Sequence, residues 1–454
     1  MAYKIAVIGG GSTVFGPQFV RLLTESEPLS GSTVVLMDIN EARVGLMADL
    51  ARFATDQAGA DLTFESTTDR RTAVKDADFV IFVAPVGGID MRAEDIEIPA
   101  RYGVYSLGGE TVGPATMFRA FRHLPVLLDT CREMEELCPD AWMFSYTNPS
   151  TPVLMALQRE TPMNMAFLCT CSAMVRRPRY LARKAGVEPE ELALPAIVGG
   201  LNHCAAIMRL TLKDGRDALP LILERLENPI EKEVLGRYGV LPYCTSHWAE
   251  FYARHMRLEE PYEGHLQGLK LNYGYRVRNM AHDRERAGTW EEDVRSLTAG
   301  GAAPEEGRDA LAGSQKQQEL LQKVLVPGEG IEAVAIMESI VENRNEIHAV
   351  VVPNGGAISN LDPDTAVEVS AVVGRTGIYP LEVGPLPEPV AANLRKHVDF
   401  YRMIADASLA GDRELALDAL LHDPLTSAVL GVEKTTELMD EMMEVEADYL
   451  PQFK

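Results

Sequence analysis

A chain of 454 residues is too long for one small hydrophobic core and requires two domains or a large domain with an insertion. Its formal net charge of −24 repels nucleic acid and anionic membrane surfaces, so neither is an expected partner, although an acidic protein can still carry a local cationic pocket. The six cysteines show no framework spacing, Met1 to Lys4 leads straight into a strand pattern, and Ile5–Ile8 is too short for an export segment, so a cytoplasmic setting is expected. No stretch has the length of a bilayer span.

In chain order, Tyr3–Ile8 reads as a strand, Gly9-Gly10-Gly11-Ser12 as a glycine loop and Val14–Leu23 as a helix. Thr33–Met37 is a second apolar run ending at Asp38, and Glu41–Gln57 has helical spacing. Leu62–Glu65, Phe79–Val83, Trp142–Tyr146 and Met165–Leu168 read as strands, with a long amphipathic helix over Thr116–Leu137. Ala206–Leu212 reads as a strand that turns at Lys213-Asp214-Gly215. The chain from there to about Gly330 is expected to be mostly helical. His348–Val352 is a further strand, and Pro387 to about Glu446 reads as helix. Strands alternating with helices imply a mostly parallel sheet covered on both faces. The expected division is residues 1–195 for that sheet and 196–454 for a mostly helical α+β domain bearing substrate, metal and oligomer contacts.

Gly9, Gly11 and Gly16 lie between a strand and a helix, where a glycine turn lets the backbone approach a pyrophosphate at the helix N-terminus. Val14 departs from the usual glycine spacing. Asp38, ending the second strand, is placed to accept from both ribose hydroxyls and to repel a 2′-phosphate, which favours NAD. The first half is therefore expected to be a Rossmann-type, doubly wound α/β unit, with Gly9, Gly11, Ser12 and Asp38 at the cofactor. The same loop alone is also compatible with a tight turn and a capping aspartate. Pro85 and Asn148 follow later strands, where ligands of open α/β sheets sit. Cys169 and His203 each end a candidate strand, and a thiolate and an imidazole so placed are able to share a divalent metal, although a small core cysteine and a structural histidine are equally open readings.

The ordered set of motifs resembles glycoside hydrolase family 4 over nearly the whole chain. It comprises Gly9-Gly10-Gly11-Ser12, Asp38, Val86-Gly87-Gly88, Arg92, Ile98-Pro99, Tyr102-Gly103 and Glu110-Thr111-Val112-Gly113-Pro114. Tyr146-Thr147-Asn148-Pro149, Leu168-Cys169, Gly200-Leu201-Asn202-His203, Val351-Val352-Pro353-Asn354-Gly355-Gly356 and Val383-Gly384-Pro385-Leu386-Pro387 complete it. The resemblance implies NAD-dependent oxidation at sugar C3, deprotonation at C2 assisted by a divalent metal such as Mn²⁺, elimination of the aglycone, water addition and re-reduction. It implies Cys169 and His203 as metal ligands, and Arg92, Asn148 and Asn202 as substrate contacts. Glu110 is implied to contact substrate as a catalytic residue.

The place where relatives often carry an assisting acid holds Thr170, a poor proton donor at neutral pH. Tyr243 and His247 are the candidate C2 bases, within Tyr243-Cys244-Thr245-Ser246-His247. Arg176, Arg177 and Arg179 read as a surface helix rather than a phosphate cradle, so an unphosphorylated hexoside or hexuronide is the expected substrate. A homodimer or homotetramer is implied as well. Competing readings are an NAD-dependent 2-hydroxyacid or sugar dehydrogenase or epimerase, and a non-catalytic NAD-binding regulator.

Overall fold

A computed structural model of the protein describes residues 2–106, 108–252, 284–298, 318–325 and 331–454. Twelve strands form one sheet: β1 (Lys4–Ile8), β2 (Ser32–Met37), β3 (Leu62–Thr67), β4 (Phe79–Phe82), β5 (Trp142–Ser145), β6 (Asn164–Phe167), β7 (Leu192–Leu201), β8 (Cys204–Leu212), β9 (Leu241–Pro242), β10 (Glu346–Pro353), β11 (Ala366–Gly374) and β12 (Gly377–Pro380). The order is β3-β2-β1-β4-β5-β6-β10-β11-β7-β8-β9, with β12 on β11.

The first six strands pair in parallel in the doubly wound order of a Rossmann fold. Strands β1 and β4 are almost wholly apolar and buried, as expected for a parallel sheet covered on both faces. Beyond β6 every pairing is antiparallel, and β6 meets β10 through a single register pair, Phe167 with Val351.

Several elements differ from the sequence reading. The helix Gly88–Arg101 was not anticipated: Gly87 and Gly88 have positive φ at its start and Pro99 lies inside it, all weak helix signals. Strand β11 escaped because it is buried on both faces and shows no alternation. The C-terminal stretch is three helices, Glu388–Ala410, Arg413–His422 and Val432–Val445. Gly411 sits at φ +65° between the first two, and the Asp412 side chain caps the second by accepting from Leu415 N at 3.0 Å. Of the stretch expected to be helical up to residue 330, residues 253–283, 299–317 and 326–330 lie outside the described residues, while Leu219–Arg225, Pro229–Tyr238 and Thr245–Glu250 are helices. No helix among the described residues is long and apolar enough to cross a membrane.

The helix Gly113–Leu137 runs through the core, and its Arg122 is 2 % exposed. The guanidinium donates to both Asp95 oxygens at 2.8 and 2.7 Å and pairs with Glu446 near the C-terminus. Its Nε donates to the Val86 carbonyl at 3.3 Å, and the Val86 amide donates to His123 Nε2 at 3.2 Å. The loop after β4 is thereby tied to the core at both polar atoms of one residue.

His397, on the helix Glu388–Ala410, is buried with its Nε2 3.3 Å from the Phe251 carbonyl. Burial holds its pKa down to about 4 from an ordinary 6.5, against the opposing pull of that carbonyl. Between those values the unfolded chain binds more protons than the folded one. Its contribution to stability is therefore complete above the unfolded value and is lost as pH falls toward about 4. His397→Gln is expected to flatten the acid side of a melting-temperature profile, removing a pH-dependent component of roughly 3 kcal/mol at most. Identical slopes for the two proteins would refute this.

Candidate active site

The glycine loop is fixed from both sides. Gly9 and Gly10 amides both donate to the Met37 carbonyl at 2.8 Å, closing the loop over the end of β2. Gly9 sits at φ +89°, and a Cβ there would lie 2.6 Å from Ala84 N, so only glycine fits against the end of β4. Gly11 N donates to Asp38 Oδ2 at 3.1 Å, and Asn40 N donates to Oδ1 at 3.0 Å, which orients the carboxylate at the mouth of β2. Ser12 Oγ accepts from Phe15 N at 3.2 Å just ahead of the helix Gly16–Thr24. Val14 and Ile39, 62 % and 90 % exposed, flank the loop with apolar surface. A backbone loop at a helix start, an acid beyond it and exposed apolar side chains fit a dinucleotide.

At the carboxyl ends of β1, β4, β5 and β6 lies a cavity of about 330 Å³. Ser12, Pro85, Arg92, Glu110, Asn148, Cys169, Thr170, His203 and His247 all line it. These residues are spread over more than two hundred positions, and the fold gathers them at one place. Thr170 is exposed at the rim, in the 3₁₀ segment Thr170–Arg176.

Glu110 is the electrostatic centre. One oxygen lies 3.4 Å from Arg92 and 3.2 Å from Arg119. The other lies 3.5 Å from Asn148 Nδ2, 3.7 Å from His203 Nε2 and 3.8 Å from His247 Nε2. Burial alone would raise its pKa, but Arg119 and Arg92 outweigh that and hold the carboxyl well below the usual range. Glu110 is thus an anion, suited to accepting hydrogen bonds.

His203 reaches the cavity from a two-residue turn. Leu201 of β7 pairs with Cys204 of β8, leaving Asn202 and His203 at the hairpin tip, with His203 at φ +65°. That conformation is uncommon for a residue with a Cβ and recurs at functional sites. Its Nε2 is 3.3 Å from Asn148 Oδ1, and its Nδ1 is 3.8 Å from Cys169 Sγ. Burial lowers its pKa to about 3, so the imidazole is neutral, as a metal ligand must be. The thiols of Cys169, Cys171 and Cys244 are hydrogen-bonded to one another. Those bonds pull the Cys171 thiol down and, with burial, push Cys169 up. A neutral imidazole nitrogen between the buried sulfurs of Cys169 and Cys244 is a donor set that fits a divalent transition metal.

Two residues singled out in the sequence stand one layer behind the cavity. Tyr243 OH donates to Glu368 Oε1 at 2.5 Å, and Asn202 Nδ2 donates to Glu368 Oε2 at 2.9 Å. Burial raises the Glu368 carboxyl to about 7 and drives the Tyr243 phenol far above its ordinary value. In this arrangement both residues brace the turn that carries His203. The arginines after Ser172 do not share a surface helix. Arg176 ends the 3₁₀ segment and pairs with Glu332 at 3.2 Å and Glu346 at 2.6 Å, and only Arg179 is exposed on the helix Pro178–Ala185.

Sequence reasoning passed over Arg119, Glu368 and the place of Cys244 beside His203 and His247. The signal for Cys244 was its spacing of three from His247, which puts both on one face of a helical turn. For Glu368 it was a carboxylate inside an otherwise apolar strand, a residue type rarely buried without a partner.

The family 4 glycosyl hydrolase model matches residues 4–184, and the family 4 glycosyl hydrolase C-terminal domain matches residues 198–426. The chain is 30% identical over 470 residues to an alpha-glucosidase of Erwinia rhapontici, covering 99% of this chain and 100% of that one. It is 28% identical to an alpha-galactosidase of Bacillus subtilis (strain 168), covering 99% and 100%. Its fold is that of a 6-phospho-alpha-glucosidase from gut microorganisms solved with NAD and Mn²⁺ (TM-score 0.79, 23% identity, 100% of both chains). A 6-phospho-beta glucosidase of Thermotoga maritima, solved with manganese, NAD⁺ and glucose-6-phosphate, is also similar (TM-score 0.71, 23% identity, 99% of both chains). With both family models matched in order along most of its length, the chain belongs to glycosyl hydrolase family 4.

Proposed function

We propose that the protein is an NAD- and divalent-metal-dependent glycosidase acting on an unphosphorylated hexoside or hexuronide. The observation that carries this reading is that the Cys169–His203 donor pair and the dinucleotide loop residues Ser12 and Pro85 line one cavity. When bound, NAD supplies a reversible hydride acceptor and the metal a Lewis acid for the sugar oxygens.

The chain's own residues do the rest. Asp38 and the loop hold the cofactor, and Cys169 and His203 hold the metal. Asn148 stands between Glu110 and His203, bonding each through one end of its amide, and so sets the distance between the anion and the metal edge. Glu110, kept ionised by Arg92 and Arg119, accepts from sugar hydroxyls. His247, at the cavity wall, is the candidate to take the C2 proton, and Thr170 lies at the rim where the aglycone leaves.

Charge matching supports the substrate class. Among the described residues, the cavity arginines are already engaged: Arg92 and Arg119 by Glu110, and Arg122 by Asp95 and Glu446. A phosphate would have to compete with those carboxylates. Arg92 Nε makes no hydrogen bond, which leaves one donor for a sugar hydroxyl or a uronate carboxylate. The reading includes a cytoplasmic homo-oligomer, residues 1–195 carrying the cofactor and 196–454 the substrate and subunit contacts.

The test is incubation with NAD⁺, Mn²⁺ and a thiol reductant against hexosides, hexuronides and their 6-phosphates, leaving out each additive in turn. Sugar release that needs both cofactors, with no net NADH, is the expected result. Stoichiometric NADH without sugar release would make the protein a dehydrogenase. Asp38→Ser is expected to weaken NAD⁺ binding by roughly ten- to a hundredfold, because a charged acceptor is lost, and to weaken NADP⁺ less. Calorimetric titration of both nucleotides checks this, and parallel losses would remove Asp38 from the ribose.

A further inference from the structure

Cys244 lies outside the cavity wall but inside the metal's reach. Its Sγ is 3.6 Å from His203 Nδ1 and 3.1 Å from His247 Nδ1. The same His203 nitrogen is 3.8 Å from Cys169 Sγ. Around a four-coordinate zinc with bonds of about 2.3 Å to sulfur and about 2.0 Å to nitrogen, tetrahedral angles separate sulfur and nitrogen ligands by about 3.5 Å. The two separations to His203 Nδ1, 3.6 and 3.8 Å, lie just above that edge length. His203, Cys244 and His247 also offer donor atoms that all lie within 4.8 Å of one another. Cys244 is 4 % exposed, so its sulfur is not a solvated surface group.

Resting on the reading of Cys169 and His203 as a metal pair, we propose that Cys244 is a third protein ligand of the same ion, so that this site holds its metal with two thiolates and one imidazole. Three protein ligands leave a fourth position for water or substrate, the pattern of catalytic rather than structural zinc sites. His247 then supports the Cys244 sulfur through Nδ1 while its Nε2 faces Glu110. Binding releases the protons of both thiols to solvent and involves no change of oxidation state. The consequence is selectivity. Thiolates favour softer ions, and Mn²⁺ stands lowest in the affinity order of the first-row divalent metals, so this site prefers Zn²⁺ and Co²⁺ to Mn²⁺ more strongly than a one-thiolate site does.

The experiment is a Co²⁺ titration of the chelator-stripped full chain, following the sulfur-to-cobalt charge-transfer absorption, with Zn²⁺ and Mn²⁺ affinities from competition against a chromophoric chelator. Cys244→Ser and Cys244→Ala are expected to reduce that absorption to roughly half, and to lower Zn²⁺ affinity at least about tenfold while changing Mn²⁺ affinity less. Cys171→Ser is expected to change both less than Cys244→Ser does. Melting curves and NAD⁺ titration establish that each variant is folded, and two Cys244 variants guard against one failing to fold. Wild-type absorption and affinities in folded Cys244 variants overturn the proposal, as does a loss in Cys171→Ser instead. Cys169→Ser separates the two readings. If it halves the absorption while Cys244→Ser does not, the third ligand is wrong and the pair stands. If it changes nothing, the pair itself is wrong.

Discussion

Cys169→Ser and His203→Ala are each expected to lose turnover by about a thousandfold or more, while NAD⁺ titrates as it does for the wild type. The loss is large because the metal is asked to stabilise charge developing on sugar oxygens, and a few kcal/mol of such stabilisation is a factor of this size. The sparing of NAD⁺ follows from position. Cys169 follows β6 and His203 tops the β7–β8 turn, whereas Gly9, Gly11 and Asp38 lie at the ends of β1 and β2, on the far side of β4 and β5. Among the described residues no hydrogen bond joins Cys169 or His203 to the glycine loop or Asp38; His203 bonds to Asn148, and Asp38 to Gly11 and Asn40. The measurement is fluorescence titration of NAD⁺ beside initial rates on the best substrate from the panel. Variants that fold but fail to bind NAD⁺ would mean that the two sites are one cooperative unit.

Arg122→Leu is the substitution expected to cost the fold most. The guanidinium sits between Asp95 and Glu446, both fully buried, and its removal leaves two carboxylates in the core with no countercharge. Breaking such a buried pair from one side costs about 3–5 kcal/mol, far more than the intact pair contributes against an apolar replacement. A triple replacement of Arg122, Asp95 and Glu446 by apolar residues is accordingly expected to recover much of the stability that Arg122→Leu loses. Denaturant midpoints decide both expectations. The single variant should also loosen cofactor binding, because Arg122 Nε holds the Val86 carbonyl on the loop after β4. An unchanged midpoint for Arg122→Leu would mean that the buried carboxylates take up protons at no cost.

The glycine loop, Asp38 and the six parallel strands were legible because each is a local arrangement. A strand, a turn and a helix within some thirty residues write their geometry in consecutive positions. Cys169 and His203 were legible only as part of an ordered set of motifs, since neither spacing nor periodicity brings them together. Glu368, Arg119 and the approach of Cys244 to His203 were not legible, and topology explains why. β11 pairs with β7, with Glu368 opposite Gly200, across more than 160 positions of chain, so a residue in the apolar run 366–374 gives no sign that it will brace the His203 turn. Tyr243 shows the converse. Its position in the motif suggested a reactive phenol, and burial against Glu368 sets it to holding a carboxylate. Arg176 looked like one of several surface cations until Glu332 and Glu346 arrived from the distant β10 region to meet it.

The position of β10 and β11 between β6 and β7 also orders the events of synthesis. A ribosome delivers β1 to β6 first, and these can pair as they emerge, because every neighbour is already made. The hairpin of β7 and β8 comes next but has no edge to join. Its place in the sheet is reached only through β11, more than 160 residues later. Until then the hairpin that carries His203 rests on the segment after Cys169 without its place in the sheet, and Cys244 follows only after β9. The strands that carry the glycine loop and Asp38 are thus complete long before the sheet position of the His203 turn is made.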